Sequence, residues 1–412
     1  MDPRTRRHAL FFVLVTILLD TVAFGIVLPV MPELIMELTG EGLGRAAVYG
    51  GWLAVLFAST NFLSMPVLGN LSDRFGRRPI LIGSLLALAL TTLLIGLATS
   101  FVWLVVARLI QGAAGAAYGT ANAYVADISP PDERAQNFAM IGAAFGVGFI
   151  VGPAVGGLLG GLGSRVPFYV AAGVALLNVA YGFLVLPESL APEHRRRFEW
   201  RRANALVSIS ALRRYPVVGG LVAIVLLHQL AFQVLPSVWN FFTMYRFGWS
   251  EAEVGYSLAF SGTMMILVQA FLVRRLVPRL GEHRAASIGL LFTAIGYYVY
   301  ALGHASWTMY AGMALASLSG LVSPSLNAIM SKEVGPTFQG ELQGAVGSVV
   351  SLTMIVGPIV MTQLFGYFTS REAPFEFPGA PFFASAALAT LALWLLLRRR
   401  RAVAVAPSGA QF

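Results

Sequence analysis

The sequence predicts an all-α integral membrane protein: twelve transmembrane helices arranged as two pseudo-symmetric six-helix bundles. Three observations carry that expectation. The chain has 412 residues, of which 57% are hydrophobic and only 11% charged, with a mean hydropathy of +0.74; a soluble domain carries about 25% charged residues. The apolar residues come in runs long enough to cross a bilayer, parted by short charged loops. The two halves of the chain also repeat one another at a fixed offset.

The runs lie near residues 10–31, 46–68, 79–99, 102–126, 136–160 and 166–186, then near 216–240, 252–273, 285–303, 307–329, 340–364 and 381–397. An even number of spans puts both ends of the chain on one side. The start, Met1 to His8, is basic and leads straight into the first span. Asp20 and Pro29 fall within that span and no small-residue cleavage site follows, so it reads as a retained helix rather than a signal peptide. With the N-terminus inside, Arg74, Arg77, Arg78, Arg134, Arg195–Arg197, Arg201, Arg202, Arg213, Arg214, Arg274, Arg275, Arg279, Arg284, Lys332 and Arg398–Arg401 all fall on the cytoplasmic side. Only Arg45, Arg165, Arg246 and Arg371 fall outside, and this bias sets the expected orientation, with both termini cytoplasmic.

The expected organisation is an N-terminal bundle (1–187), a cytoplasmic linker (188–214), a C-terminal bundle (215–398) and a cytoplasmic tail (399–412). The linker reads as a basic connector or as a short amphipathic helix on the anionic leaflet. A shift of 205 residues lays Gly115 on Gly320, Asn122 on Asn327, Pro131 on Pro336, Gly142 on Gly347, and Gly152-Pro153 on Gly357-Pro358. It also lays Arg74-Phe75-Gly76 on Arg279-Leu280-Gly281. Such symmetry predicts related bundles with a substrate site near the midplane.

The net charge of +9 does not point to nucleic acid, because the arginines sit in loops between apolar runs and no basic groove with interleaved aromatics is present. The chain has no cysteine, which excludes disulfides, thiol catalysis and Cys-ligated metals. No G-x-x-x-x-G-K-[ST] phosphate loop, H-E-x-x-H helix or paired acids are arranged for ATP hydrolysis or intramembrane hydrolysis. Neither an enzyme nor a bound cofactor or metal is expected. Lys332 is the only lysine among 28 basic residues, a usage that suggests a GC-rich bacterial genome and thus a bacterial inner membrane.

Ionisable residues inside spans are costly in lipid and functional by default. Asp20 is the only carboxylate well inside a span, Arg108 the only deep arginine, and His228 the only histidine within a span. A carboxyl isolated from water holds its proton, and a nearby cation lets it go. A group set between those states can couple to protons; packing hydrogen bonds are the alternative for Asp20, a clamp on carbonyls for Arg108, and plain packing for His228.

Between the second and third spans runs Gly69-Asn70-Leu71-Ser72-Asp73-Arg74-Phe75-Gly76-Arg77-Arg78-Pro79. Gly76 permits a tight turn, Pro79 suits the first turn of a helix, and Asp73 can pair with the arginines beside it. The pattern G-x-L-[S/A]-D-R-x-G-R-R-P resembles the loop between helices 2 and 3 of the major facilitator superfamily of secondary transporters. Arg108-Leu109-Ile110-Gln111-Gly112 resembles the R-x-x-Q-G element of its proton-coupled members, and Asp127 stands at that helix's cytoplasmic exit. Gly148-x-x-x-Gly152-Pro153-x-x-Gly156-Gly157 resembles the helix 5 element of its antiporters; small-residue packing is the alternative. Nearly end to end the chain is similar to the tetracycline-resistance branch, through Leu19-Asp20, Gly25, Leu28-Pro29-Val30, Pro32, Asn61, Gln229, Gln233, Trp239 and Gln339 to Gly344. Thr91, Thr293 and Gly248 stand where that branch carries two acids and a histidine, which argues against tetracycline itself.

The resemblance implies a proton-coupled antiporter, acting as a monomer in the bilayer, that exports small amphipathic organic compounds. Asp20 and Arg108 would handle the proton. Gly69, Asp73, Arg74, Gly76, Arg77 and Arg78 would gate the cytoplasmic side. Asn61, Gln111, Asn122, His228, Gln229, Gln233, Trp239, Asn240, Asn327 and Gln343 would face the substrate, although scattered amides also suit plain helix packing. A facilitator or proton symporter for a metabolite, and a non-transporting receptor, are the readings this one competes with.

Overall fold

The computed structural model describes residues 3–115, 117–130, 133–196, 216–334 and 339–405. Every regular element among them is a helix. Among the described residues, twelve helical segments are long and apolar enough to cross a membrane. Residues 197–214 of the expected linker, Pro131, Pro336 and the tail from residue 406 lie outside the described residues.

Two compact units are present, each with its own packing. The first comprises residues 1–205 with 243–262, the second 206–242 with 263–412. In the first unit the chain runs through α1 (Pro3–Val27), α2 (Met31–Thr39), α3 (Leu43–Phe75), α4 (Arg77–Gly96), α5 (Phe101–Ala114), α6 (Ala117–Ile128), α7 (Arg134–Gly160) and α8 (Val166–Val185). Then come α9 (Pro216–Phe232), α10 (Val234–Phe247), α11 (Glu251–Leu267), α12 (Val273–Leu280), α13 (Glu282–Leu302), α14 (Ser306–Ala316), α15 (Val322–Glu333), α16 (Gln339–Phe368) and α17 (Ala380–Val405).

The helices match the expected spans with instructive differences. The first span stops at Val27 rather than continuing to residue 31, and α2 follows as a separate short helix. Pro32 sits in the first turn of α2, where its missing N–H costs nothing, and Gly40 ends it in the left-handed region at φ +70°. The fourth span is broken into α5 and α6 at Gly115. Its repeat partner, the tenth, passes through a 3₁₀ segment, Ser317–Leu321, which contains Gly320. The eighth span carries a π-helical segment, Val268–Leu272, between α11 and α12. The opening loop and its echo share their backbone as well: Gly76 has φ +108° and Gly281 φ +77°, values that L side chains rarely adopt.

Inside lipid there is little hydrophobic drive between helices, so close packing and small residues hold them. In the first unit Phe12, Val13, Ile17, Leu81, Leu85 and Tyr124 form a buried core, with Phe12 stacked on Tyr181 at 4.3 Å between centroids. In the second unit Ile224, Leu290, Val322, Leu326 and Met330 do the same. The glycine series of α7 is where α1 comes closest. A Cβ on Gly152 would lie 2.8 Å from the Gly25 Cα, one on Gly148 would lie 2.7 Å from the Thr21 Cβ, and one on Gly156 would run into the Ile26 carbonyl.

Candidate functional site: an acid-bearing cavity and a charged helix junction

The break in the fourth span shapes the first unit's cavity. At Gly115 the backbone leaves the helical register (φ −75°, ψ 52°), which frees carbonyls that a continuous helix would bond. Asn61 on α3 supplies donors: its Nδ2 donates to the Gly115 carbonyl at 2.9 Å and the Gly112 carbonyl at 3.4 Å. Gly112 itself has no room for a side chain, since a Cβ there would meet Thr60 and the Phe57 carbonyl of α3. The α3–α5 contact thus holds the break open, and a cavity of about 180 Å³ lies beside it.

This cavity brings together residues from all eight helices from α1 to α8, with Met31 from α2. Asp20 and Phe24 enter from α1, Phe57 from α3, Arg108 and Gln111 from α5, Tyr118 from α6 and Phe145 from α7; α4 and α8 add Ser84 and Phe168. Arg108 Nη1 donates to Gln111 Oε1 at 3.1 Å. Asp20 makes no hydrogen bond or ion pair to any described residue. The acid and the guanidinium that stood out in the sequence therefore share one aromatic-walled cavity without being an ion pair. Gln111 belongs to the same site. Asn61 serves the helix break instead, and the Asn122 amide donates to the Tyr118 carbonyl one turn back at 2.8 Å.

The loop between α3 and α4 forms a second charged centre. Arg77 pairs with Asp73 and, through Nε, with Asp127 at 3.2 Å, and its Nη1 donates to Ser72 Oγ at 2.6 Å. One guanidinium thus ties the end of α3 to the end of α6, as a planar fork of donors allows. Arg78 donates to the Phe183 carbonyl at 2.6 Å, and Arg74 stacks over Phe75. A residue that sequence reasoning placed in the linker completes the junction. Glu188 Oε1 accepts from the backbone N–H of Arg77 at 2.8 Å, of Ser189 at 3.0 Å and of Leu190 at 3.1 Å, and Oε2 accepts from the Arg78 N–H at 3.3 Å. A carboxylate on the first N–H groups of α4 satisfies donors that have no helical partner and complements the helix dipole. The Glu188 oxygens occupy the space that a Cβ on Gly76 would take, a second reason for glycine there. The one available cue was an acid following Pro187 directly at the end of a span.

The remaining residues expected at the substrate site belong to the second unit. His228 and Gln229 lie on α9, Gln233 at the α9–α10 turn, Trp239 and Asn240 on α10, Asn327 on α15 and Gln343 on α16. Trp239 is fully buried, edge-on to Tyr300 at 5.0 Å and Phe382 at 6.1 Å, as a packing residue would be. Gln233 is buried against Gly357, whose hydrogen leaves room for it: a Cβ would lie 2.5 Å from the Gln233 Cβ. His228 is buried too, and its Nδ1 has no hydrogen-bond partner among the described residues.

Comparison with known proteins agrees with this anatomy. The family model of the Major Facilitator Superfamily matches residues 13–285 and 221–411. The class C tetracycline resistance protein of Escherichia coli is 36% identical over 359 residues, covering 87% of this chain and 90% of that protein. Multidrug resistance protein 2 of Bacillus subtilis (strain 168) is 29% identical over 382 residues, covering 90% and 92%. Among solved structures, the human organic anion transporter MFSD10 (TETRAN) superposes with a TM-score of 0.70 at 25% identity, over 96% of this chain and 100% of that one.

Proposed function

We propose that this chain, which belongs to the major facilitator superfamily and to its tetracycline-resistance-like branch, exports small amphipathic organic compounds across a bacterial inner membrane in exchange for protons. The observation that supports the reading is the cavity that Asp20, with no hydrogen bond to any described residue, shares with Arg108 and aromatic side chains. An acid with no partner in such a place can take and release a proton without breaking a structural contact. The aromatic walls suit an apolar body, and Arg108 with Gln111 suits its polar end. The names of the bacterial relatives, a tetracycline resistance protein and a multidrug resistance protein, favour export of drug-like compounds.

In this reading both termini and the Asp73–Arg77 junction face the cytoplasm. Asp20 is the proton carrier. Arg108 responds to its charge: when Asp20 is ionised the pair attract, and when it is protonated the guanidinium is free to meet substrate. The junction built on Asp73, Arg77, Asp127 and Glu188 keeps the cytoplasmic ends of α3, α4 and α6 together. Gly148, Gly152, Pro153, Gly156 and Gly157 of α7 let α1, which carries Asp20, move against it. The acting unit is a monomer; within the second unit, Gln229, Gln233, Asn240, Asn327 and Gln343 are the side chains proposed to face substrate.

The test uses inverted membrane vesicles with an imposed pH gradient and a panel of tetracyclines, lipophilic cations and fluoroquinolone-like compounds. Wild type should release protons on addition of a transported compound, and Asp20→Asn should be silent. Equal release from both would make Asp20 a packing residue and remove this coupling mechanism.

A further inference from the structure

On the face opposite the Asp73–Arg77 junction, two acids meet. Ser250-Glu251-Ala252-Glu253 opens α11 with a capping box: the Ser250 N–H donates to Glu253 Oε2 at 2.8 Å and the Glu253 N–H donates to Ser250 Oγ at 3.4 Å. Glu253 is thereby used up, and Glu251, at the first helical position, is left to point away. The glycines ending α7 make a seat for it. A Cβ on Gly160 would lie 2.9 Å from the Glu251 Cβ and 2.8 Å from Val30 Cγ1, just before α2, and one on Gly157 would run into the Glu251 carbonyl. A Cβ on Gly255 would likewise run into the Pro153 carbonyl, so the first turns of α11 lie flat on the end of α7. Val30 stands one turn before Glu33, so that seat sets Glu251 against Glu33 in the first turn of α2, close enough for the two carboxyls to act on one another.

Two carboxyls can share a hydrogen bond only if one keeps its proton. Both acids stand in the first turn of a helix, so the dipole does not choose between them; the neighbouring Glu37 adds negative charge on the Glu33 side, which favours the proton there. The other charged groups around Glu33 offer no substitute for that proton. Glu37, one turn along α2, adds negative charge and is itself held by Arg165 at 2.9 Å and Ser164 at 2.8 Å. Of the helices packed on α2, α3 brings Arg45, which pairs with Glu41 at 3.3 Å, and α5 brings only Arg108, at the cavity.

We propose that Glu33 and Glu251 form a second proton-binding site, separate from Asp20, that fastens the start of α11 to α2 and α7 when the surrounding solution is acidic. By the orientation proposed above that solution is the external one, and on that reading alone the site becomes a sensor of external acidity. Hydrogen bonding to Glu251, burial, and the charges of Glu251 and Glu37 push the Glu33 carboxyl from its usual 4.5 up to about 7. The sign follows from linkage. The fastened state binds the extra proton, so it is favoured fully below about 4.5 and loses that advantage as pH rises through about 7. Between pH 5 and 8 the ratio of fastened to released α11 falls by at most roughly 70-fold, and by less where water screens the pair.

The chain has no native cysteine, so Gly42→Cys and Tyr256→Cys can carry spin labels, both at exposed positions. Distances between them are read in nanodiscs from pH 5 to 8, with no transported compound and no gradient, so a failure of proton-coupled export would leave this measurement standing. Wild type and Asp20→Asn should both lose the short-distance population as pH rises through about 7. Glu33→Gln should keep it at every pH, because its amide always donates to Glu251, and Glu251→Gln should do the same in reverse. If Glu33→Gln and Glu251→Gln titrate as wild type does, or if Asp20→Asn abolishes the titration, the proposal is overturned.

Discussion

At the residue scale, the side chains with the most hydrogen bonds are not those that composition singles out. Asp20, conspicuous as a lone acid in an apolar run, has no partner among the described residues, while Glu188, inconspicuous at the edge of a polar stretch, accepts four backbone N–H groups. Intramembrane charge is legible in a sequence because lipid makes it expensive. A cap is not, because its acceptor and its helix are distant in the chain. Glu188→Ala should therefore destabilise the protein by about 2 kcal/mol, the cost of stranding the first donors of α4 and losing a charge at a helix start. Ser189→Ala removes only one exposed bond, to Asp127 at 3.1 Å, and should cost about 0.5 kcal/mol. Thermal unfolding in detergent, followed by tryptophan fluorescence, ranks the two; equal midpoints would mean that Glu188 is not acting as a cap.

At the element scale, α7 shows why the sequence expectation of a glycine-rich helix was sound but incomplete. The glycines form a series in the chain, yet they differ in what surrounds them. Gly142 faces open space, whereas Gly148, Gly152 and Gly156 lie against the backbone or Cβ atoms of α1, and Gly157 and Gly160 lie against Glu251. Gly142→Ala should be neutral or raise stability by about 0.5–1 kcal/mol, through the freedom that glycine loses in a helix. Gly156→Ala must push the Ile26 carbonyl, and α1 with it, away from α7 and should cost about 2 kcal/mol or more. Unfolding midpoints of the two variants in one detergent settle the contrast, and a similar loss in both would show that helix propensity rather than α1–α7 contact governs this helix. The break at Gly115 teaches the same lesson. The repeat marked Gly115 and Gly320 as equivalent, but only the Asn61 bonds to the freed carbonyls reveal that α5 and α6 are separate helices.

At the scale of the whole molecule, the twelve spans and the repeat were legible because bilayer thickness and a fixed 205-residue offset act on long stretches. The meeting of Glu33 with Glu251 was not, since nothing local to either residue records the other. The inventory of acids nevertheless bears on energetics. Asp20 is the only carboxylate well inside a span; Asp73, Asp127, Glu251, Glu253, Glu282 and Glu333 all sit at span ends. The residues standing where the tetracycline-resistance branch has further acids, Thr91 and Thr293, are buried with their hydroxyls bonded to carbonyls one turn back, at 2.6 and 2.7 Å, and carry no proton to exchange. In the proposed exchange, one carrier acid implies one proton per cycle. Exchange against a singly charged cation should then be electrically silent, and exchange against a neutral compound should move one charge and respond to membrane potential, about 2.3 kcal/mol for each 100 mV. Currents recorded from proteoliposomes on a solid-supported membrane test this directly. A current with a monovalent cationic substrate would mean that a second proton travels with the first and that Asp20 does not work alone.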